Sequence, residues 1–211
     1  MAILHVAQMG HPVLRMVAEP VDPAIIPTPQ FQQFCDDLLE TMFEYEGQGL
    51  AAPQVHQPIR VTVLTLSEER GPEFFINPHI DFLTEDAVRF YEGCLSIEGM
   101  RAAVDRCAHI RVRALDRDGT PKVLELKGFP AIVVQHENDH LDGILFVDRC
   151  DPGTLAFLSE FRRFGPLDRF GEEDAEDLED AEDAEDAEDA EDPDEIRVVD
   201  AQPPGHTPVA S

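Results

Sequence analysis

Basic residues are scarce in this sequence. Its 211 residues hold 16 Lys and Arg against 44 Asp and Glu, a net charge of −28. No segment concentrates the few cations, so direct nucleic-acid binding is not expected. Long apolar runs are missing too. None approaches about 18 residues, the length a membrane-spanning helix needs, so no membrane is expected as a partner. The opening residues, Met1-Ala-Ile-Leu-His-Val-Ala-Gln-Met-Gly, lack the positive start and long apolar core of a secretory leader. Cys35, Cys94, Cys107 and Cys150 are scattered with no paired spacing. A disulfide framework is therefore not expected, and reduced thiols in a cytoplasmic protein fit better.

The acidity is uneven. Residues 171–211 carry eighteen acids and one Arg, whereas residues 1–170 carry twenty-six acids and fifteen bases. Ala-Glu-Asp repeats from Ala181 to Asp192. A period of three holds no apolar stripe on a helix of 3.6 residues per turn, and like charges crowd at i,i+3 and i,i+4. The expected division is a folded domain over 1–170 and a disordered acidic low-complexity tail over 171–211.

Within the folded part, Thr28 and Pro29 predict the start of a helix over about 29–45. Phe31, Phe34, Cys35, Leu38, Leu39 and Met42 form its stripe. Residues 59–66 read as a strand and 73–78 as a short one. Residues 88–97 read as an extended stretch. Residues 108–115 and 122–126 flank Asp118-Gly119, a hairpin turn signal. Pro130 suits the first turn of a helix over 129–141, which Gly143 ends. Residues 144–147 look like a short strand. A last helix is expected from Asp151 to about Phe164, with Leu155, Leu158, Phe161 and Phe164 inward. The fold class expected is α+β, with antiparallel strands packed around the 129–141 helix.

That helix holds His136-Glu137-Asn138-Asp139-His140, a His-Glu-x-x-His pattern. Residues four apart lie about 40° apart on one face. Two imidazoles can therefore face one metal ion, with Glu137 close enough to reach a water there. The pattern supplies no third ligand. Cys94, read alone, is either a buried thiol or that ligand. With His136 and His140 it gives three protein ligands and an open fourth position, the mark of a catalytic site. Gly47-Gln48-Gly49-Leu50-Ala51-Ala52-Pro53-Gln54 is either a plain helix-to-strand turn or a place of close backbone approach. His5, His11, His56, His79 and His109 lack ligand spacing and read as surface or satisfied core residues.

Three segments together resemble the peptide deformylase family: Gly47-x-Gly49-Leu50-Ala51-Ala52-Pro53-Gln54, Glu92-Gly93-Cys94-Leu95-Ser96, and Gln135-His136-Glu137-x-Asp139-His140-Leu141-x-Gly143. They stand in the family's order, and the likeness runs from about Ile3 to about Phe164. The resemblance implies removal of the N-formyl group from the initiator methionine of new polypeptides, with release of formate. Cys94, His136 and His140 would be the metal ligands and Glu137 the acid–base residue. The Gln54 amide and the Leu95 backbone N–H would face the oxyanion. Gly49, Arg101, Phe129, Ile132 and Val133 would meet the substrate, the last three lining an apolar pocket. Glu92 would pair with Arg106, and Asp139 would orient the ligand region. The implied cofactor is one divalent ion. Ferrous iron is favoured, with zinc, nickel and cobalt admitted by the same ligands. Formyl-methionyl nascent peptides are the implied partner, and the ribosome near its exit tunnel an admitted one.

Two positions depart from the family pattern. Gln48 stands where a branched apolar residue is common, and Glu98 where proline is frequent. Both bear on substrate preference. A metallopeptidase shares the helix, but its third ligand usually lies downstream, and no downstream residue offers that pattern. A non-catalytic, ribosome-associated metal-binding module would not need Glu137 and Gln54.

Overall fold

The computed structural model describes residues 2–67, 69–166 and 195–199. Helix α1, Pro29–Glu44, starts where Thr28 accepts a hydrogen bond from the Phe31 N–H. Strands β1 (Gly49–Ala51), β2 (Val61–Thr65), β3 (Pro72–Phe82), β6 (His109–Leu115), β7 (Pro121–Lys127) and β9 (Ile196–Val198) form one antiparallel sheet in the order β1-β2-β3-β6-β7-β9. Strands β4 (Ala87–Cys94), β5 (Ile97–Cys107) and β8 (Ala156–Phe157) form a second antiparallel sheet.

The large sheet buries both faces, and its alternation decides which side chain goes where. Val61, Val63, Phe74 and Ile76 pack with Phe31, Cys35, Leu38 and Met42 of α1. Cys35 is fully buried there, and burial pushes its thiol up to about 12. From the other face Leu64, Phe75, Val112, Leu124 and Leu126 meet Ala131, Val133 and Val134 of α2, Phe129–Leu141. Helix α2 also touches β5 of the small sheet. It is thus buried on nearly every side, which explains why its pattern is weakly amphipathic. Gly128 opens it at φ +62° and Gly143 follows it at φ +71°, where a side chain would also collide with the Arg15 backbone.

The α+β class, α1, α2 and the β6–β7 hairpin agree with the sequence. Four expectations need correction. Residues 88–97 are not one extended stretch. The chain turns at Leu95-Ser96 and returns as β5, an eleven-residue strand. The strand at 73–78 runs on to Phe82. Asn77 takes φ +53° at a bulge, and its amide holds both the Val21 N–H and the Val21 carbonyl at 2.8 Å. Residues 144–147 are not a strand, because Phe146–Arg149 forms a short helix, α3. Asp148 accepts from the Leu145 N–H at 2.8 Å and from Arg15 Nη2 at 3.1 Å, which closes the turn. Residues 151–164 are not one helix. A 3-10 turn over Pro152–Thr154 and β8 precede α4, Leu158–Phe164. The buried Thr154 hydroxyl accepts from the Ala103 N–H at 2.9 Å and ties this turn to β5. Leu155 and Phe164 are consequently exposed.

The expected disorder of 171–211 lies outside the described residues except at 195–199. There the structure differs, since Ile196, Arg197 and Val198 pair with Leu126, Glu125 and Leu124 of β7. Ile196 packs on the core, and Lys127 Nζ pairs with Glu195 at 2.6 Å. A shortened chain ending at Arg169 loses this edge strand. Its thermal midpoint is expected to fall by about 2–4 °C for a loss of about 1 kcal/mol. Scanning calorimetry checks this, and an unchanged midpoint would mean that the pairing adds nothing to stability.

Candidate metal centre

Two structural elements deliver the candidate ligands. Helix α2 presents His136 and His140 from successive turns, with ring centroids 5.1 Å apart. Strand β4 ends on Cys94. The three ligand atoms lie within 4.8 Å of one another, and no other such group of three occurs among the described residues. Cys94 Sγ stands 3.2 Å from His140 Nε2. A tetrahedral ion with a thiolate and an imidazole would separate these atoms by about 3.6 Å. The donor set thus fits a divalent ion with three protein ligands.

The electrostatics favour the same reading. Burial opposes ionisation of Cys94, but His140 and His136 outweigh it and hold the thiol well below its ordinary pKa. Burial likewise opposes a charged His136, yet Cys94 and Glu92 hold its pKa well above the usual value. A divalent ion would bind the sulfur as thiolate and the imidazoles as neutral rings, releasing protons as it enters. Glu92 Oε2 lies 2.7 Å from His136 Nδ1. This contact assigns the Nδ1 proton to the Glu92 side and leaves Nε2 as the donor atom. Burial alone would raise Glu92. Arg106 and His136 outweigh it and bring it to about 2. Arg106 grips Glu92 at 2.7 and 2.9 Å and reaches Asp139 at 2.6 Å, so the expected Glu92–Arg106 pair is made and Asp139 joins it in one buried network.

Glu137 is buried, and burial pushes its carboxyl up. Its Oε2, like His140 Nδ1, has no hydrogen-bond partner among the described residues. Leaving a buried polar atom unmet costs about 1–3 kcal/mol, and such atoms persist where chemistry uses them. Gly49 explains how Glu137 fits. A Cβ on Gly49 would lie 2.5 Å from Glu137 Oε1. Of the two readings of the 47–54 segment, close backbone approach is the one made at Gly49, and its partner is the glutamate rather than a substrate chain.

Gln54 is buried at the end of the 3-10 turn Ala52–Val55. Its Oε1 accepts from the Ala51 N–H at 2.8 Å, which turns Nε2 toward Ser96 Oγ at 3.2 Å and Cys94 Sγ at 3.5 Å. The longer contact to sulfur is the one an oxyanion could replace. Leu95 sits in the turn after Cys94, and Gln8 Nε2 donates to its carbonyl at 3.1 Å. The Ala7 N–H donates to the Gln54 carbonyl and the Met9 N–H to the Ser96 carbonyl, both at 2.7 Å. The N-terminal segment thus clamps both loops.

The residues expected to meet substrate are less closely gathered. Arg101 lies across Gly93, where an added Cβ would sit 1.3 Å from Nη1. Phe129 meets Phe90 with ring centroids 5.5 Å apart and the planes tilted by 55°, a neighbour the sequence does not point to. Ile132 is buried, and Val133 belongs to the core against the large sheet. Ser96, Gly93 and Phe90 are the residues sequence reasoning missed. The first two stand inside the Glu92–Ser96 segment, and only the fold shows what they touch. His5 and His11 each make a ring contact with His56, at 5.9 and 4.7 Å, and none of the three belongs to the ligand cluster.

A family profile described as Polypeptide deformylase matches residues 3–155. A peptide deformylase of Stutzerimonas stutzeri is 47% identical over 149 residues, 70% of this chain and 87% of that protein. The solved class I type b peptide deformylase of Acinetobacter baumannii superposes with a TM-score of 0.68 at 37% identity, covering 71% of this chain and all of that one. The same Acinetobacter enzyme, solved with Met-Ala-Ser bound, gives a TM-score of 0.66 at 34% identity over 70% of this chain and 98% of that one.

Gly49→Ala tests the packing on Glu137. The added methyl is expected to displace the carboxyl, lowering turnover tenfold or more while metal content stays at one ion per chain. Activity assay beside metal analysis checks this, and undiminished turnover would contradict the contact.

Proposed function

The chain belongs to the peptide deformylase family, and from that premise we propose how its own residues remove the formyl group from formyl-methionyl peptides. It is a hydrolase of this class, acting on formylated nascent peptides. The observation that carries the residue assignment is the convergence of Cys94, His136 and His140 beside the buried carboxyl of Glu137.

Cys94 Sγ, His136 Nε2 and His140 Nε2 would hold one divalent ion. When bound, such an ion supplies Lewis acidity, lowering the pKa of a water and polarising a carbonyl oxygen. Glu137 takes the proton of the attacking water as the new C–O bond forms at the formyl carbon. Gln54 Nε2–H and the Leu95 N–H face the carbonyl oxygen as its charge builds. Glu137 then gives the proton to the amine nitrogen as the C–N bond breaks. Formate and a free amine leave. Arg101, Gly49 and the Phe129–Ile132 patch would meet the peptide, with Val133 backing it from the core and Phe90 extending it through its ring contact with Phe129. The Met-Ala-Ser peptide on the Acinetobacter relative supports a methionine-first substrate.

We assign ferrous iron as the working ion. The thiolate-containing donor set accepts iron, zinc, nickel and cobalt, and the family resemblance favours iron. No helix among the described residues is long and apolar enough to cross a membrane. Action in the cytoplasm, near the ribosomal exit, is the proposed setting. Residues 1–170 would carry catalysis, and the chain ending at Arg169 should then turn over short formyl peptides at the full rate.

Formate release from a formyl-methionyl peptide is the test of the residue roles. Glu137→Ala is expected to abolish it. Gln54→Leu is expected to cut turnover by about 10²–10³-fold with metal content intact, the usual cost of an oxyanion donor. A small effect of Gln54→Leu would remove it from the mechanism. Amino-acid release from unformylated peptide, without formate, would instead make the chain a peptidase.

A further inference from the structure

The charged network behind His136 does not end at Asp139. Arg106 Nη1 donates to Asp139 Oδ2 at 2.6 Å. Arg149, at the end of α3, grips the same carboxylate through both oxygens, Nε to Oδ2 at 2.6 Å and Nη2 to Oδ1 at 2.8 Å. The line runs His136, Glu92, Arg106, Asp139, Arg149. Glu92, Arg106 and Asp139 are 4–5% exposed, whereas the Arg149 side chain is 45% exposed. The line therefore begins at a metal ligand and ends at solvent.

Arg149 completes the charge count. Without it, two buried carboxylates share one buried guanidinium. With it, the four charges balance, and both Asp139 oxygens have a partner. Buried ion pairs hold their geometry only when the remaining lone pairs are also met. A half-satisfied Asp139 would draw Arg106 toward itself and off Glu92. Glu92 holds the His136 tautomer through Nδ1, while Phe146 of α3 stacks on the ring at 6.4 Å.

The geometry points to Arg149 as a positioning residue for the metal centre, acting on His136 through Asp139, Arg106 and Glu92. This rests on the ligand set assigned above. Two effects of removing Arg149 oppose each other. Loss of a positive charge would favour a cation, but that charge is half-exposed and screened by solvent. The hydrogen-bonded line runs through the interior, where geometry is felt more strongly. Loosened positioning therefore outweighs the lost charge. A cavity of about 400 Å³ on the far side of α2 is lined by Arg106, Asp139 and Arg149. Arg149 thus borders open space, and shortening it leaves no void in the packed core.

Cobalt-substituted full-length protein provides readouts besides activity. Partners behind a metal-binding histidine typically contribute about 10–100-fold to metal affinity, and Arg149 stands further back. Arg149→Ala is expected to speed cobalt transfer to a chelator by three- to tenfold and to alter the visible d–d bands. It should lower kcat with KM unchanged. Arg149→Lys keeps the charge but loses the two-pronged grip, and should fall between wild type and R149A. Wild-type cobalt release and spectrum in R149A would overturn the inference, even with a lowered thermal midpoint. Should R149A fail to fold, a wild-type release rate and spectrum in R149K would overturn it equally. Failure of the wild-type protein to bind cobalt, or binding that survives Cys94→Ala unchanged, would overturn the metal centre itself and the inference with it.

Discussion

The constraint on which the structure depends is the burial of a polar helix. Helix α2 lies between the two sheets with its surroundings closed on nearly every side, yet it carries Gln135, His136, Glu137, Asp139 and His140. A buried polar group without a partner costs enough that each must be met. Gln135 binds the backbone of Cys107 and of Ala131. Asp139 takes Arg106 and Arg149, and His136 takes Glu92. The groups left over are His140 Nδ1 and one oxygen of Glu137. The helix is thus solvated by its own protein except at the Glu137 oxygen, where the chemistry is expected, and at the ring nitrogen of His140 that faces away from the ligand cluster's sulfur.

The two sheets have unequal roles in meeting that demand. The large sheet supplies apolar contact for the start of α2 and fixes its position. The small sheet supplies Cys94, Glu92 and Arg106 from β4 and β5, so the ligand and the support of a second ligand sit on paired strands, Glu92 opposite Ala102 and Cys94 opposite Ile97. The register shift between these pairs accompanies the turn that presents Leu95 and Ser96. Small residues make the assembly possible. Gly49 admits Glu137, and Gly93 admits the Arg101 side chain. Either would be blocked by a methyl group, so these glycines act through space rather than through backbone torsion.

Much of this was legible in the sequence, for identifiable reasons. Helix α1 carries its own cap and stripe. The β6–β7 hairpin carries its own turn. The ligand spacing on α2 is a property of the helix itself. The strand β5 is hard to see in the sequence because its Glu98, Arg101, Asp105 and Arg106 interrupt the apolar alternation, and Arg106 is buried with Glu92 and Asp139 meeting its charge. Helix α3 has the look of a strand in the sequence because Ile144-Leu-Phe-Val147 has strand composition. What decides its form is Asp148 folding back on Leu145, held in turn by Arg15 from the far end of the chain. The packing of Phe90 on Phe129 and the contact of Arg149 with Asp139 are long-range or cross-element facts that no local spacing encodes. Strand β9 lies beyond a charge run whose composition argues against structure, and only its pairing with β7 gives it one.

The central claim is that one thiolate and two imidazoles from this chain bind the working metal. X-ray absorption at the metal edge of zinc-loaded protein measures this directly. One sulfur at about 2.3 Å and two imidazole nitrogens at about 2.0–2.1 Å are expected, with the sulfur lost in Cys94→Ala. A shell without sulfur in the wild-type protein would contradict the assignment of Cys94 and, with it, the site built around α2.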